Sequence, residues 1–281
     1  MQATVTTLQE MRDRGERIVA ITAYDAATAR IVDAAGVSVI LVGDSLGMVF
    51  LGHKTTLPVR LEDILYHTRA VARGRRQALV VADMPFMTYQ GSAEQAMENA
   101  GRLVQEGGAH AVKLEGGVVI ADTIRRLADA GVAVMGHVGL TPQSVHRLGG
   151  FRVQGRSLSA AKALVADARA VAEAGAFAVV LECIPDLVAR EITERLRVPT
   201  IGIGAGVHCS GEIQVVTDVL GLTRGRLPKH AKSYLELSSL MEDAVGRYVD
   251  EVKRGAFPGP EQAFSTDPDL ARALREEAND E

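Results

Sequence analysis

The sequence predicts a (β/α)8 TIM barrel with an additional C-terminal helix, and three observations carry that prediction. Short apolar runs rich in Val, Ile and Ala alternate with longer amphipathic stretches. The apolar runs are continuous, as in parallel strands buried on both faces. Several amphipathic stretches end in a stop signal just before a new apolar run, at Ala35-Gly36, Gly107-Gly108, Ala130-Gly131 and Ala174-Gly175. Repeated βα units over 281 residues suit one closed barrel. An open doubly wound sheet is the alternative architecture.

In chain order, the apolar runs place strands at Ile18–Thr22, Ser38–Val42, Leu79–Ala82, Ala111–Leu114, Val132–Gly136, Ala178–Leu181 and Thr200–Ile203, with an eighth at Val215–Leu220. Helical periodicity fills the intervals at Ala26–Ala35, Leu61–Arg73, Ser92–Glu106, Ile120–Ala130, Ser159–Ala174 and Leu187–Leu196. A last amphipathic helix covers about 233–254. The tail after Pro258 is acidic and opens on Pro and Gly, which predicts loose order over about 258–281. No linker or composition shift divides the chain, so 1–281 reads as one barrel domain.

Hydrophobic residues make up 47% of the chain and charged residues 23%, enough for a sizeable core. A net charge of −4 gives no reason to expect nucleic acid or an anionic membrane as partner. The first fourteen residues are polar with mixed charge, unlike a signal peptide, and no apolar run is long enough to span a bilayer. The expectation is a soluble cytoplasmic protein. Cys183 and Cys209 stand in no CxxC or Cys/His cluster, so each reads as a buried or inert thiol and not as part of a zinc site.

The chemistry gathers where the apolar runs end. The first leads to Tyr24-Asp25, the second to Gly43-Asp44-Ser45 and the third to Asp83-Met84-Pro85. The fourth carries Lys113 and leads to Glu115, the fifth leads to His137 and the sixth to Glu182. A parallel barrel brings all strand C-termini to one face, where such enzymes hold their chemistry. Asp44, Asp83, Lys113, Glu115, His137 and Glu182 would therefore converge. One acid after a strand is commonly a helix cap, and Asp25, Asp44 and Asp83 each admit that reading. Several carboxylates together call for a neutralising partner. A hard cation with oxygen ligands supplies one, and Mg²⁺ suits few protein ligands plus substrate and water. These residues alone point to metal-assisted chemistry on a small anion. Gly202-Ile203-Gly204-Ala205-Gly206 lacks the full dinucleotide-binding spacing, and it reads equally as an anion loop or a tight turn.

The stretches ITAYDAATAR, LVGDSLGMVFLGH, TLPVRLEDILYHTRAVARG, VADMPFMTYQ, AVKLEGG, VMGHVGLTPQSVHRLGGFRVQGR, LECIP and PTIGIGAG run in order from about Ile21 to Gly206. With them the sequence resembles the ketopantoate hydroxymethyltransferase family, within the phosphoenolpyruvate/pyruvate-type barrel superfamily. The resemblance implies transfer of a hydroxymethyl group from 5,10-methylenetetrahydrofolate to 3-methyl-2-oxobutanoate, through a Mg²⁺-stabilised enolate, in pantothenate and coenzyme A synthesis. It implies Asp44 and Asp83 as Mg²⁺ ligands that also reach substrate, and Glu115 as a ligand through water. Ser45 would contact the substrate carboxylate, Lys113 and His137 would bind substrate, and Glu182 would be the general base. It also implies a homo-oligomer, a decamer. After Gly206 the resemblance weakens: Ser210 and Thr217 stand where the family commonly has Asp and His.

Two other readings stay open. One is a Mg-dependent 2-oxo acid lyase of the same superfamily. Its members resemble one another through a Lys-Lys-Cys-Gly-His segment, which this chain lacks. The other is a non-catalytic metabolite-binding barrel, against which the number of converging ionisable groups argues.

Overall fold

A computed structural model of the chain describes residues 2–278. Its helix α1 (Val5–Asp13) and strand β1 (Ile18–Thr22) are followed by α2 (Ala26–Ala34), β2 (Val39–Val42), the single turn α3 (Leu46–Val49), α4 (Leu61–Gly74) and β3 (Leu79–Asp83). Next come α5 (Ala93–Gln105), β4 (Ala111–Glu115), α6 (Ala121–Asp129), β5 (Val134–Gly139), α7 (Leu158–Glu173), β6 (Ala178–Glu182), α8 (Asp186–Arg195) and β7 (Thr200–Ile203). The series closes with β8 (Gly211–Gln214), α9 (Val216–Val219), α10 (Leu237–Lys253) and α11 (Pro268–Glu277). The eight strands are parallel, and β8 pairs back onto β1, so the sheet is a closed barrel and the open-sheet alternative falls away.

Period-2 alternation sorts each strand. Ile40, Val42, Val80, Ala82, Val112 and Leu114 pack outward against the helices. Leu41, Val81, Ala111, Met135, Val180 and Ile201 fill the barrel interior. The helices stop where the stop signals said: Gly131 and Gly175 take positive φ, 87° and 106°, which glycine adopts without a Cβ clash.

Three points of the sequence reading are corrected. The eighth strand is Gly211–Gln214, and the segment read as strand at Val215–Leu220 instead forms the turn of α9. β8 is half-polar (Gly-Glu-Ile-Gln) and was hidden by its lack of an apolar run, whereas Val215, Val216 and Val219 imitated one. The fifth strand is shifted to Val134–Gly139. Within the described part of the tail, Asp267 caps α11 by accepting from Asp269 N, and α11 buries no residue; residues 279–281 lie outside the described residues. Finally, α1 was not anticipated. Its single buried residue, Leu8, plugs the barrel interior, and one buried position in a polar segment leaves no periodic signal. No helix connects β7 to β8. Gly204 and Gly206 adopt φ 66° and 80° there, so the glycine-rich stretch is a tight turn with no helix behind it.

Contacts within the chain form two compact units, one ending at Tyr234 and one beginning at Leu235. The second holds α10 and α11, neither of which has a buried residue. Among the described residues no helix is long and apolar enough to cross a membrane.

One buried acid belongs to the scaffold. Asp33, in the last turn of α2, accepts backbone N–H bonds from Arg76 (3.0 Å), Gln77 (2.9 Å) and Ala78 (2.7 Å), fixing the entry to β3. Burial works against its carboxylate, but the three N–H donors and Arg75 outweigh it and hold its pKa below the usual value. A depressed folded-state pKa contributes stability above the unfolded value, roughly 3.9, which is lost as pH falls through the folded value. Asp33→Ala is therefore expected to cost about 2–3 kcal/mol at neutral pH, the scale of charge-assisted bonds left unmade. Urea denaturation of both proteins should show the gap narrowing below about pH 4; a gap that does not change with pH would remove the carboxylate charge from the explanation.

Candidate active site

The inward positions at the ends of four adjacent strands are polar, and they cluster above the apolar interior. They are Asp83 on β3, Lys113 and Glu115 on β4, His137 on β5 and Glu182 on β6. Strand register sets Asp83 beside Lys113 and Glu115 beside His137. The sequence reading placed these acids after their strands; they are strand residues, aimed inward by the same alternation that aims Val81 and Ala111. Asp44 and Ser45 follow β2 directly. All seven residues line one cavity of about 610 Å³, walled also by Met48, Leu140, Phe151, Val153 and Ile203. A larger groove of about 1320 Å³ runs along α7 and α8 and contains none of them.

The contacts are close. Lys113 Nζ lies 2.8 Å from Asp83 Oδ1, with both side chains buried. Asp83 Oδ2 accepts from the Asp44 backbone N–H at 2.9 Å. Ser45 Oγ is 2.9 Å from the hydroxyl of Tyr24, whose pKa burial raises, so the phenol stays protonated. His137 faces three groups: Lys113 Nζ at 3.1 Å and Glu115 Oε1 at 3.6 Å from Nδ1, and Glu182 Oε2 at 3.1 Å from Nε2. The last contact is off the line of a hydrogen bond.

Charge states follow from burial and neighbours. Burial, then Asp83 and Glu115, push the Asp44 pKa well up. Burial also raises that of Asp83, against the pull of Lys113. Glu115 is held low despite burial, by His137 when that ring is protonated and by Lys113 and the Gln143 N–H in either case. Lys113 is held high despite burial by Asp83, Glu115 and Asp44, so it is an ammonium ion and no amine nucleophile. Burial and Lys113 disfavour the His137 imidazolium, yet the neighbouring Glu115 and Glu182 carboxylates raise its pKa to about 9. Against that value, an imidazolium would set an N–H against the Lys113 ammonium, which has no lone pair. The 3.1 Å contact decides for the neutral ring, with Nδ1 accepting and the proton on Nε2, facing Glu182.

The site fits a hard cation. Two Asp carboxylates that burial and neighbouring carboxylates drive toward protonation are an oxygen donor set short of positive charge. Among the described residues no three His, Cys, Asp or Glu groups are placed to hold a metal by themselves. Substrate and water would have to complete the shell, which is the usual arrangement for Mg²⁺.

Several neighbours escaped the sequence reading. Gln143, buried in the loop after β5, touches Asp44 and Glu115. Tyr24 and Tyr89 are buried against the site. In the weakly matching segment, Thr217 and Asp218 are buried, and the Thr223 hydroxyl donates to Asp218 at 2.5 Å. Asp25 is a helix cap, accepting from Ala27 and Thr28 N–H at 2.8 Å. Cys183 sits at φ 47° beside Glu182, and burial raises its thiol to about 11, so it is inert as a thiolate at neutral pH. Cys209 is buried and its pKa is raised too, again chiefly by burial.

Residues 2–260 match the model of the ketopantoate hydroxymethyltransferase family. A 3-methyl-2-oxobutanoate hydroxymethyltransferase from Chloroflexus aurantiacus is 58% identical over 98% of this chain and 97% of its own length. The protein of that name from Dehalococcoides mccartyi is 53% identical over 98% of each chain. Among solved structures, phosphonopyruvate hydrolase aligns with a TM-score of 0.60 at 15% identity, over 99% of this chain and 96% of that one. 2,3-Dimethylmalate lyase, a PEP mutase/isocitrate lyase superfamily member, aligns at 0.56 and 17% over the full length of both. The structural neighbours share the barrel alone, whereas the sequence relatives share the whole length at more than half identity. The chain belongs to the ketopantoate hydroxymethyltransferase family.

Proposed function

We propose that this enzyme transfers a hydroxymethyl group from 5,10-methylenetetrahydrofolate to 3-methyl-2-oxobutanoate, with Mg²⁺ bound at Asp44 and Asp83. The observation that carries the reading is the polar cluster of Asp83, Lys113, Glu115, His137 and Glu182 beside Asp44, facing a cavity larger than a small 2-oxo acid needs. A bound Mg²⁺ would supply electron withdrawal from the keto carbonyl and so acidify the neighbouring C3–H. Ser45 and the Lys113 ammonium hold the substrate carboxylate. Glu182, partly exposed to the cavity, takes the C3 proton. The neutral His137, whose Nε2 makes no hydrogen bond within the chain, presents its Nε2–H to the substrate. C3 then forms a bond to the one-carbon unit, water supplies the hydroxyl, and tetrahydrofolate leaves. Met48, Leu140, Phe151 and Val153 give the cavity an apolar wall beside the polar groups. A homo-oligomer, the decamer, belongs to the same reading; α10 supports it by exposing Leu240, Val245, Tyr248 and Val252.

Mixing the enzyme with both substrates and Mg²⁺ should yield 2-dehydropantoate by mass spectrometry. Chelation should stop the reaction and added Mg²⁺ should restore it. Product formation unaffected by chelation would refute the metal assignment, and no product from either donor or acceptor pairing would refute the transfer. The lyase reading predicts cleavage of larger 2-oxo acids, and the sequence relatives count against it.

Glu115 supports the metal from farther out. Glu115→Gln keeps the shape but removes a charge, and Mg²⁺ affinity in the presence of the 2-oxo acid should weaken about 10- to 100-fold. Calorimetry alongside a melting curve checks it. Unchanged affinity with a large fall in melting temperature would make Glu115 a structural residue.

A further inference from the structure

Gln143 uses every hydrogen-bonding position of its side chain. Its Nε2 donates to Asp44 Oδ2 at 2.9 Å and to the Met84 carbonyl at 3.0 Å. Its Oε1 faces the Tyr89 hydroxyl at 2.9 Å and accepts from Gln90 Nε2 at 3.0 Å. Two acceptors face Nε2, and Oε1 meets the Gln90 amide and the Tyr89 hydroxyl, whose one proton it shares with the Glu115 carbonyl at 2.9 Å, so the amide is fixed in one orientation. Its backbone N–H donates to Glu115 Oε2 at 3.0 Å. Tyr89 closes the circuit by accepting from the Glu115 N–H at 3.0 Å. One residue on the loop after β5 thus ties together the ends of β2, β3 and β4, which carry Asp44, Asp83 and Glu115.

We infer that Gln143 is a positioning residue that sets the geometry of the cation site by clamping Asp44 and Glu115 at once; this rests on the metal reading proposed above. The physical case has three parts. A carboxylate on a loop keeps rotamer freedom that a metal must take away, and a fixed donor takes it away in advance. The donor at Asp44 is a neutral amide, so it orients Oδ2 without adding a competing positive charge. Among the described residues Asp44 Oδ1 makes no hydrogen bond, which leaves it for the cation. Such ligand-orienting partners control metal affinity although they never touch the ion.

The variant Gln143→Met keeps the length and volume and removes all four side-chain bonds, while the backbone N–H to Glu115 stays. Mg²⁺ affinity by calorimetry, with 3-methyl-2-oxobutanoate present, should fall about 10- to 100-fold. Tyr89→Phe removes one bond to Gln143 and one to Glu115, and should weaken the ion by a smaller factor. The double variant should be little worse than Gln143→Met, since both act through one network. If Gln143→Met does not fold, Tyr89→Phe carries the test alone: weaker Mg²⁺ binding at an unchanged melting temperature is expected. Wild-type Mg²⁺ affinity in folded Gln143→Met, or in Tyr89→Phe, overturns the proposal. No Mg²⁺ binding by the wild-type protein overturns the metal reading instead.

Discussion

Glu182→Gln is expected to abolish removal of the C3 proton while leaving the 2-oxo acid bound. Glutamine keeps the shape at the end of β6 but cannot accept a proton at neutral pH. General bases contribute about 100- to 10,000-fold, so exchange of the C3 proton with deuterium should drop by that factor. His137 is the rival base, because an unperturbed imidazole titrates near neutrality. Its contacts argue otherwise: Nδ1 is occupied by Lys113 at 3.1 Å, and Nε2 faces Glu182. A ring whose one lone pair is already engaged has nothing left with which to take the proton. His137→Asn should therefore slow exchange only about tenfold, by loosening the bound substrate. Exchange that survives Glu182→Gln and vanishes in His137→Asn would exchange the two roles.

Loss of either aspartate should have an effect of similar size. An ion held by two protein carboxylates forfeits several kcal/mol of charge stabilisation when one is removed, so turnover should fall more than about 1,000-fold in Asp44→Ala. That variant should stay folded, since Asp44 lies in the loop after β2 and burial already disfavours its charge. Asp83 differs. It lies within β3 and pairs with buried Lys113, so Asp83→Ala leaves an ammonium ion without its nearest partner. Breaking a buried pair costs about 3–5 kcal/mol. Asp83→Asn keeps an acceptor for the Asp44 N–H and is the cleaner variant. Both Asp44→Ala and Asp83→Asn should lose Mg²⁺ binding by calorimetry. Wild-type affinity in either would remove that residue from the metal shell.

Much of the barrel was legible because its signals are periodic. Continuous apolar runs marked seven strands, and glycines after Ala35, Ala130 and Ala174 marked helix ends. β8 was not legible, because Gly211-Glu-Ile-Gln214 has one apolar residue and the valines just after it gave the stronger signal. α1 was missed for the same kind of reason, since only Leu8 is buried. The ionisable residues of the site were legible because acids, a lysine and a histidine at strand ends are costly unless used. Their depth was misjudged: Asp83, Glu115 and Glu182 belong to strands, and alternation from Val81, Lys113 and Val180 could have shown it. Gln143, Tyr24 and Tyr89 were invisible for another reason. Neutral polar residues carry no charge penalty, and only three-dimensional contact shows what they hold.

The central claim is that the polar cluster removes the C3 proton of 3-methyl-2-oxobutanoate with Mg²⁺ and without folate. Proton magnetic resonance of that acid in D₂O, with wild-type enzyme and Mg²⁺ but no tetrahydrofolate, measures that step alone. The account predicts loss of the C3 proton signal at a rate that depends on Mg²⁺ and collapses in Glu182→Gln. A C3 signal that persists with enzyme and Mg²⁺ present, or that disappears equally fast with Glu182→Gln, would contradict it.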